Sequence, residues 1–276
     1  MNTPQAARTY LFVPGNRPDR FAKAFASGAD AVVIDLEDAV APDQKEAARA
    51  ALADWCGAGQ RHAAELVVRI NDDASAWFEA DLALLRSIGP CSVMLPKAES
   101  APQIERVGAA LGPAKVLIAL VESARGVLAV ESIAQAAGVV RLAFGTLDYA
   151  LDLGLTDDPR GLLYPASRIA LASKAADLAP PIAGITAAID DAAALRSDFE
   201  LARACGFGAK LCIHPRQVDA VHAMLAPTPE QRDWAARVLA AAEAGSGAVQ
   251  VDGKMVDRPV LLRARAILGH PSAGLS

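Results

Sequence analysis

The segment AVVIDLEDAV, residues 31–40, runs from four apolar residues into three acids, Asp35, Glu37 and Asp38. A short run rich in Val and Ile suits a strand covered on both faces. Carboxylates at its C-terminal end suggest a site there, because that end holds the active site in a barrel of alternating strands and helices. Whether the segment belongs to such a barrel depends on how often the pattern recurs.

Working outward, the pattern recurs in TYLFVPG (9–15), AVVIDLE (31–37), ELVVRIN (65–71), SVMLPKA (92–98), VLIALVES (116–123), RLAFGTLD (141–148), PIAGITAAI (181–189) and AKLCIHP (209–215). Amphipathic stretches such as RPDRFAKAFASGA and DFELARACGFG separate them, and glycines close several of those helices. This alternation predicts a (β/α)8 TIM barrel over residues 1–225. An open doubly wound sheet is the alternative, but it usually has fewer strands, and no GxGxxG follows the first strand. Residues 226–276 read as a C-terminal helix–hairpin–helix extension. Thr228 and Pro229 open its first helix, Asp-Gly turns the hairpin in AVQVDGKMV, and Pro259 starts the last helix.

The chain has 276 residues, a normal length for such a barrel, and 53% hydrophobic content can fill its core. Net charge is −5 with both signs interspersed, which argues against a nucleic-acid partner. Cys56, Cys91, Cys205 and Cys212 form no CxxC pair; Cys91 and Cys212 lie in or beside apolar strand-like runs and read as buried thiols. The first residues lack an apolar signal core, and no apolar run approaches the ~18 residues of a membrane span. A cytoplasmic protein without a membrane partner is expected.

Polar residues gather where the strands end. Arg69 and Asn71 end the third segment, Lys97 the fourth, Glu122 the fifth, Asp148 the sixth and His214 the eighth. Glu122 and Asp148 close adjacent strands and together suit one hard divalent cation, Mg2+, which takes few protein ligands. The plainer reading is that each carboxylate caps a helix or pairs with a base. Arg69 suits a substrate carboxylate or an oxygen gaining charge; a salt bridge to Glu37 or Asp38 is its plainer reading. Gly145 and Thr146 offer backbone N–H groups to an acid. Arg17, Arg20 and Lys23 form a basic cluster after the first strand, suited to a phosphate handle or simply a solvated helix start. Lys45 and Arg49 read as helix-surface or inter-loop pairs, and His214 as a core histidine bonded to backbone. His62, His214, His222 and His270 are too scattered for zinc.

LFVPGN, DLEDAV with Lys45 and Arg49 behind it, VRIN, LPKAES, VESARG, FGTLD, GFGAKLCIHPRQ and GKMVDRP occur in this order. Together they closely resemble the citrate lyase beta-subunit-like branch of the HpcH/HpaI aldolase superfamily, from about residue 8 to about residue 268. The resemblance implies a Mg2+-dependent TIM barrel that cleaves or forms carbon–carbon bonds in malyl-, citramalyl- or citryl-CoA-like thioesters. It implies that Glu122 and Asp148 ligate Mg2+, that Arg69 with Glu122, Gly145 and Thr146 binds substrate, and that Arg17 and Lys23 contact CoA. It also implies a homotrimer in which Asp257 enters a neighbouring subunit's site as acid/base. The chemistry expected is cleavage of a 3-hydroxyacyl-CoA into a 2-oxo acid held at Arg69 and a thioester enolate protonated by Asp257. An apolar setting beside Met255 and Val256 would favour the protonated carboxyl. A CoA-independent 2-oxo acid aldolase and a citrate lyase subunit acting on a carrier-protein thioester stay open. The pattern departs from its relatives after Pro181, where Ala183 and Ala188 stand in place of common acids while Asp191 is retained; this puts the pocket wall, and so the substrate, in question.

Overall fold

The computed structural model describes residues 7–59, 62–112, 116–156, 158–244 and 249–269. The chain forms two compact units, Met1–His222 and Ala223–Ser276. No helix among the described residues is long and apolar enough to cross a membrane.

The first unit is a closed barrel of eight parallel strands in chain order. The strands are β1 (Thr9–Pro14), β2 (Ala31–Asp35), β3 (Glu65–Arg69), β4 (Ser92–Leu95), β5 (Val116–Val121), β6 (Val139–Phe144), β7 (Ala179–Ala183) and β8 (Ala209–Cys212). Between them run α1 (Phe21–Phe25), α2 (Lys45–Gly57), α3 (Phe78–Ser87), α4 (Ala101–Leu111), α5 (Ala124–Leu128), α6 (Val130–Gln135), α7 (Thr146–Leu153), α8 (Leu163–Ala175) and α9 (Ala192–Ala204), with α10 (Pro215–Leu225) after β8. Thr9, Tyr10 and Leu11 pair with Lys210, Leu211 and Cys212 to shut the cylinder.

Side-chain alternation decides what lies inside. Tyr10, Ala31, Val33, Val67, Met94, Ile118, Leu120, Ala143, Ile182, Ala209 and Leu211 form one buried cluster at every second strand position. The other set, including Val32, Ile34, Val68, Val93 and Leu142, is buried under the helices. Two-sided burial explains why these strands read as continuous apolar runs.

The inward set continues past the apolar layers at both ends. At the C-terminal end it reaches Asp35, Arg69, Glu122 and Gly145. At the N-terminal end it reaches Glu65 and Arg141. Arg141 is buried, donating from Nε to the Pro180 carbonyl at 2.7 Å and from Nη1 to the Ala7 carbonyl at 2.5 Å and the Tyr10 hydroxyl at 3.2 Å. These bonds matter because prolines in β7 withdraw ladder donors, and the β6–β7 ladder shifts register there.

The strands end earlier than the apolar pattern suggests. β2 stops at Asp35, β5 at Val121, β6 at Phe144 and β7 at Ala183. Asp148, expected at a strand end, sits in the first turn of α7. Lys45, expected on a helix surface or in an inter-loop pair, is only 5% exposed. Its ammonium grips the Leu36 and Glu37 carbonyls and Asn71 Oδ1, each at 2.7 Å, so it is an inter-loop clamp. Arg49 pairs with the buried Asp81 at 3.1 Å.

The second unit contains α11 (Pro229–Ala244), the hairpin strands β9 (Val249–Val251) and β10 (Lys254–Val256), and α12 (Arg258–Ile267). Thr228 caps α11 reciprocally with Gln231. Asp252 and Gly253 turn the hairpin with φ of 52° and 74°, the left-handed pair that a two-residue turn needs. Ala235, Val238 and Ala264 form its small core.

Candidate active site

A cavity of about 320 Å³ opens at the C-terminal ends of the strands. Asp35, Asp38, Arg69, Glu122, Gly145, Thr146 and Asp148 line it together with an apolar wall that includes Phe12, Leu120, Ile185, Leu211 and Ile213. The ends of β2 and β3 and the segments that follow β2, β5 and β6 thus deliver these polar residues to one place. The apolar wall was not singled out from sequence, because its members look like ordinary strand core until the register is known.

Arg69 and Asp35 are cross-strand partners at the ends of β3 and β2. The guanidinium forks onto Asp35, Nε to Oδ1 at 2.8 Å and Nη2 to Oδ2 at 2.6 Å, and Nη1 lies 3.0 Å from Glu37 Oε2. Asp38 is farther, at 4.0 Å. The Phe12 ring lies 4.8 Å below the guanidinium carbon. Burial pulls the guanidinium pKa down, but Asp35 and Glu37 overcome this and raise it. Asp35 also accepts the Glu37 and Ala39 N–H groups at 2.9 and 3.1 Å, which curls the acidic loop over the mouth.

Glu122 is 4% exposed. Its Oε1 accepts the Lys97 N–H at 2.7 Å. Lys97 holds a left-handed φ of 48°, an unusual conformation for a residue with a side chain. Its ammonium pairs with Glu37 Oε1, so one residue serves two acids. Burial pushes the Glu122 carboxyl up to about 8; Glu37 and Asp148 push the same way, against the Lys97 amide and Arg69. Burial likewise raises Glu37, against Arg69 and Lys97. Around Glu122, burial and the neighbouring acids outweigh Arg69.

Gly145 has no room for a side chain. A Cβ there would collide with Glu122 Oε2 and lie 2.6 Å from Glu122 Cβ. Its N–H donates to the Val121 carbonyl at 2.9 Å, so that amide is engaged within the fold, not presented to an acid as the sequence suggested. Thr146 opens α7, where backbone N–H groups lack intrahelical acceptors. We expect Gly145→Ala to displace Glu122, weakening Mg2+ binding about tenfold or more and costing about 1–3 kcal/mol by overpacking. Metal titration and a urea melt of the same sample would check this; unchanged metal affinity would refute it.

The donor set fits magnesium. Among the described residues no three His, Cys, Asp or Glu side chains form a closed metal cage, whereas Mg2+ is commonly held by one or two carboxylates with water and substrate completing its shell. The other expected residues are placed differently. Arg17 and Lys23 do not line this cavity; Arg17 Nη2 pairs with Asp19 at 2.7 Å at the surface. His214 accepts the Arg216 N–H at 3.2 Å, a backbone role. Asp191 caps α9, accepting from Ala193 and Ala194 at 3.0 and 2.9 Å. Asp257 caps α12, accepting the Val260 N–H at 3.1 Å. Asp257 and Met255 are exposed, so Met255 does not give this acid the apolar setting expected. His270 lies outside the described residues.

Comparison with known proteins agrees with this geometry. The family model described as HpcH/HpaI aldolase/citrate lyase matches residues 8–215. A citrate lyase subunit beta-like protein of Deinococcus radiodurans is 39% identical, covering 98% of this chain and 99% of the relative. A (3S)-malyl-CoA thioesterase of Cereibacter sphaeroides is 34% identical over 96% and 95% of the two chains. The crystal structure of CitE from Mycobacterium tuberculosis, in complex with magnesium, acetoacetate and coenzyme A, superposes with a TM-score of 0.85 at 38% identity, covering 96% of this chain and 98% of that one. With its eight-stranded barrel and acidic mouth, the chain belongs to the HpcH/HpaI aldolase/citrate lyase family.

Proposed function

We propose that the protein is a Mg2+-dependent carbon–carbon lyase acting reversibly on a 3-hydroxyacyl-CoA thioester to give an acyl-CoA and a 2-oxo acid. The observation that carries this reading is the buried Glu122, which shares with Asp148 the cavity at the strand ends, where burial and the neighbouring acids outweigh Arg69. A citrate lyase subunit beta-like relative and a CitE structure holding magnesium, acetoacetate and coenzyme A support it.

Magnesium held by Glu122 and Asp148 supplies Lewis-acid polarisation of the substrate's oxygens. Arg69, fixed by Asp35 and stacked on Phe12, steadies the oxygen that gains charge as the bond breaks. The Thr146 amide at the start of α7 offers a donor to the acid's carboxylate. Phe12, Leu120, Ile185, Leu211 and Ile213 keep water from the enolate carbon. Asp257 of a neighbouring subunit gives that carbon its proton and removes it in the reverse direction. Arg17 and Lys23 bind CoA phosphates, which requires the Arg17–Asp19 pair to open.

Assembly of copies is part of this reading. Leu128, Leu147, Leu151, Leu153, Leu163 and Tyr164 are exposed on α5, α7 and α8 or their connections, and α5 touches both other helices. Such apolar surface suits a subunit contact, and we infer a homotrimer. None of the four cysteines is in a disulfide, which fits a reducing cytoplasm; Cys212 is buried as expected, whereas Cys91 is only partly buried.

The test is a cleavage panel. The protein with Mg2+ is given malyl-, citramalyl- and citryl-CoA, and release of 2-oxo acid and of free thiol is followed with an EDTA control. EDTA-sensitive 2-oxo acid release from one thioester is expected; silence on all three in protein that binds Mg2+ would overturn the reading. Asp257→Asn is expected to keep Mg2+ affinity within about twofold and lose about 10²-fold or more in turnover. Normal turnover by that variant would remove Asp257 from the mechanism.

A further inference from the structure

A second cavity, also of about 320 Å³, lies outside the barrel wall, between β6–β8 and the helical layer of α7, α8 and α9. Phe144, Leu162, Ala166, Leu201 and Phe207 supply much of its carbon-rich lining. One lysine lines it too. Lys210 alternates with the inward-facing Ala209 and Leu211, so its side chain leaves the barrel toward the helices. It is 1% exposed, and its ammonium donates to the Gly184 carbonyl at 2.7 Å.

A buried ammonium costs several kcal/mol unless it is paired. No carboxylate forms an ion pair with Lys210 among the described residues. Asp198 lines the cavity and exerts a field on it, but its Oδ2 accepts the Thr186 hydroxyl at 2.7 Å. The cross-strand neighbours of Lys210 are Thr9 on β1 and Ala183 on β7, neither of them charged, and Ala183 lines the same cavity. Burial pushes the Lys210 ammonium down to about 8, against Cys212 and Asp198, as expected for a cation short of a counter-ion.

We propose that this cavity binds a small monocarboxylate with an apolar tail, its carboxylate on Lys210 and its tail among Phe144, Leu162, Leu201 and Phe207. A lysine carries three N–H donors and Gly184 uses one. A single carboxylate matches that capacity, whereas a phosphate dianion would meet about twice the repulsion from Asp198 and would want more donors. The volume is about twice the roughly 150 Å³ that holds a benzene ring, so a chain of about six carbons fits. The site has a route to the catalytic pocket: Thr146, Leu147 and Ile185 line both cavities. Thr146 and Leu147 begin the helix turn that carries Asp148. An occupant therefore bears on the loop that we assign to metal and substrate.

The test is calorimetric titration of the full-length protein with sodium hexanoate, using n-hexanol as a probe with the tail and no charge. Hexanoate is expected to bind, and hexanol at least about tenfold more weakly, the loss of a charged hydrogen bond. Lys210→Met removes the cation and keeps the volume. Ala183→Asp places a carboxylate beside the ammonium. Both are expected to weaken hexanoate about tenfold or more while leaving Mg2+ affinity within about twofold. Three results would overturn the proposal: no hexanoate binding at millimolar concentration, equal binding of hexanol, or undiminished hexanoate affinity in both variants, which would put the acid elsewhere, as in the Arg69 pocket.

Discussion

Glu122→Gln is expected to abolish Mg2+ binding, reduce lyase turnover by on the order of a thousandfold, and yet make the metal-free protein more stable at pH 8. The first two effects follow from removing the charge of the carboxylate that we propose as a Mg2+ ligand. The third follows from the site's electrostatics. The folded chain keeps the Glu122 proton up to about 8, against an ordinary value of 4.5. Its stabilising contribution is therefore complete below about 4.5 and is lost as the pH rises to about 8. Glutamine is neutral throughout, so it avoids a penalty of roughly a few kcal/mol at pH 8. A bound cation reverses the balance in the native protein. Mg2+ affinity of the unmodified chain should thus strengthen up to about tenfold per pH unit approaching pH 8 and then level off. Thermal melts with and without Mg2+ at pH 6 and pH 8 test both statements. A variant less stable than the parent in metal-free buffer at pH 8 would show that Glu122 is compensated in some other way.

Arg69→Met is expected to lower stability by about 3–5 kcal/mol and to eliminate turnover. The stability loss comes from what stays behind. Asp35 is 1% exposed and Glu37 is 4% exposed, and both would lose their guanidinium. Removing one member of a buried pair leaves a charge that nothing compensates, which costs more than the pair contributes. Arg69→Lys keeps the charge but loses the fork on Asp35; it should recover part of the stability and little of the activity. Urea midpoints of the three proteins provide the comparison. A drop under about 1 kcal/mol for the methionine variant would mean that Lys97 and Lys45 already neutralise the acidic loop.

The alternation of buried strands and amphipathic helices was legible in the sequence because parallel strands covered on both faces announce themselves as apolar runs. Their ends were less legible. FGTLD continues RLAF without a break in hydrophobicity, yet Gly145 turns the chain and Asp148 becomes helical. What marks that boundary is the space taken by Glu122, a contact between residues 23 apart in the chain. The acids and Arg69 were recognisable by position, but the Arg69–Asp35 fork needed the β2–β3 register. The sequence left Lys45 between a helix-surface charge and an inter-loop pair, and only the fold, which closes Leu36, Glu37 and Asn71 around it, decides for the second. Lys210 was hidden for a similar reason, since nothing in AKLCIHP tells which face it takes until its neighbours fill the barrel.

The closure of the barrel has a consequence for synthesis. β1 finds its second partner only in β8, about 200 residues later, through the pairing of Thr9–Leu11 with Lys210–Cys212. A nascent chain stalled before residue 209 would present β1 and β7 as open edges, each a template for pairing with another chain. Arg141 adds to the delay, because it anchors Ala7 and Tyr10 only after β6 has emerged. The same ring of strands that leaves the finished barrel without an edge therefore makes the unfinished chain dependent on protection until the eighth strand leaves the ribosome.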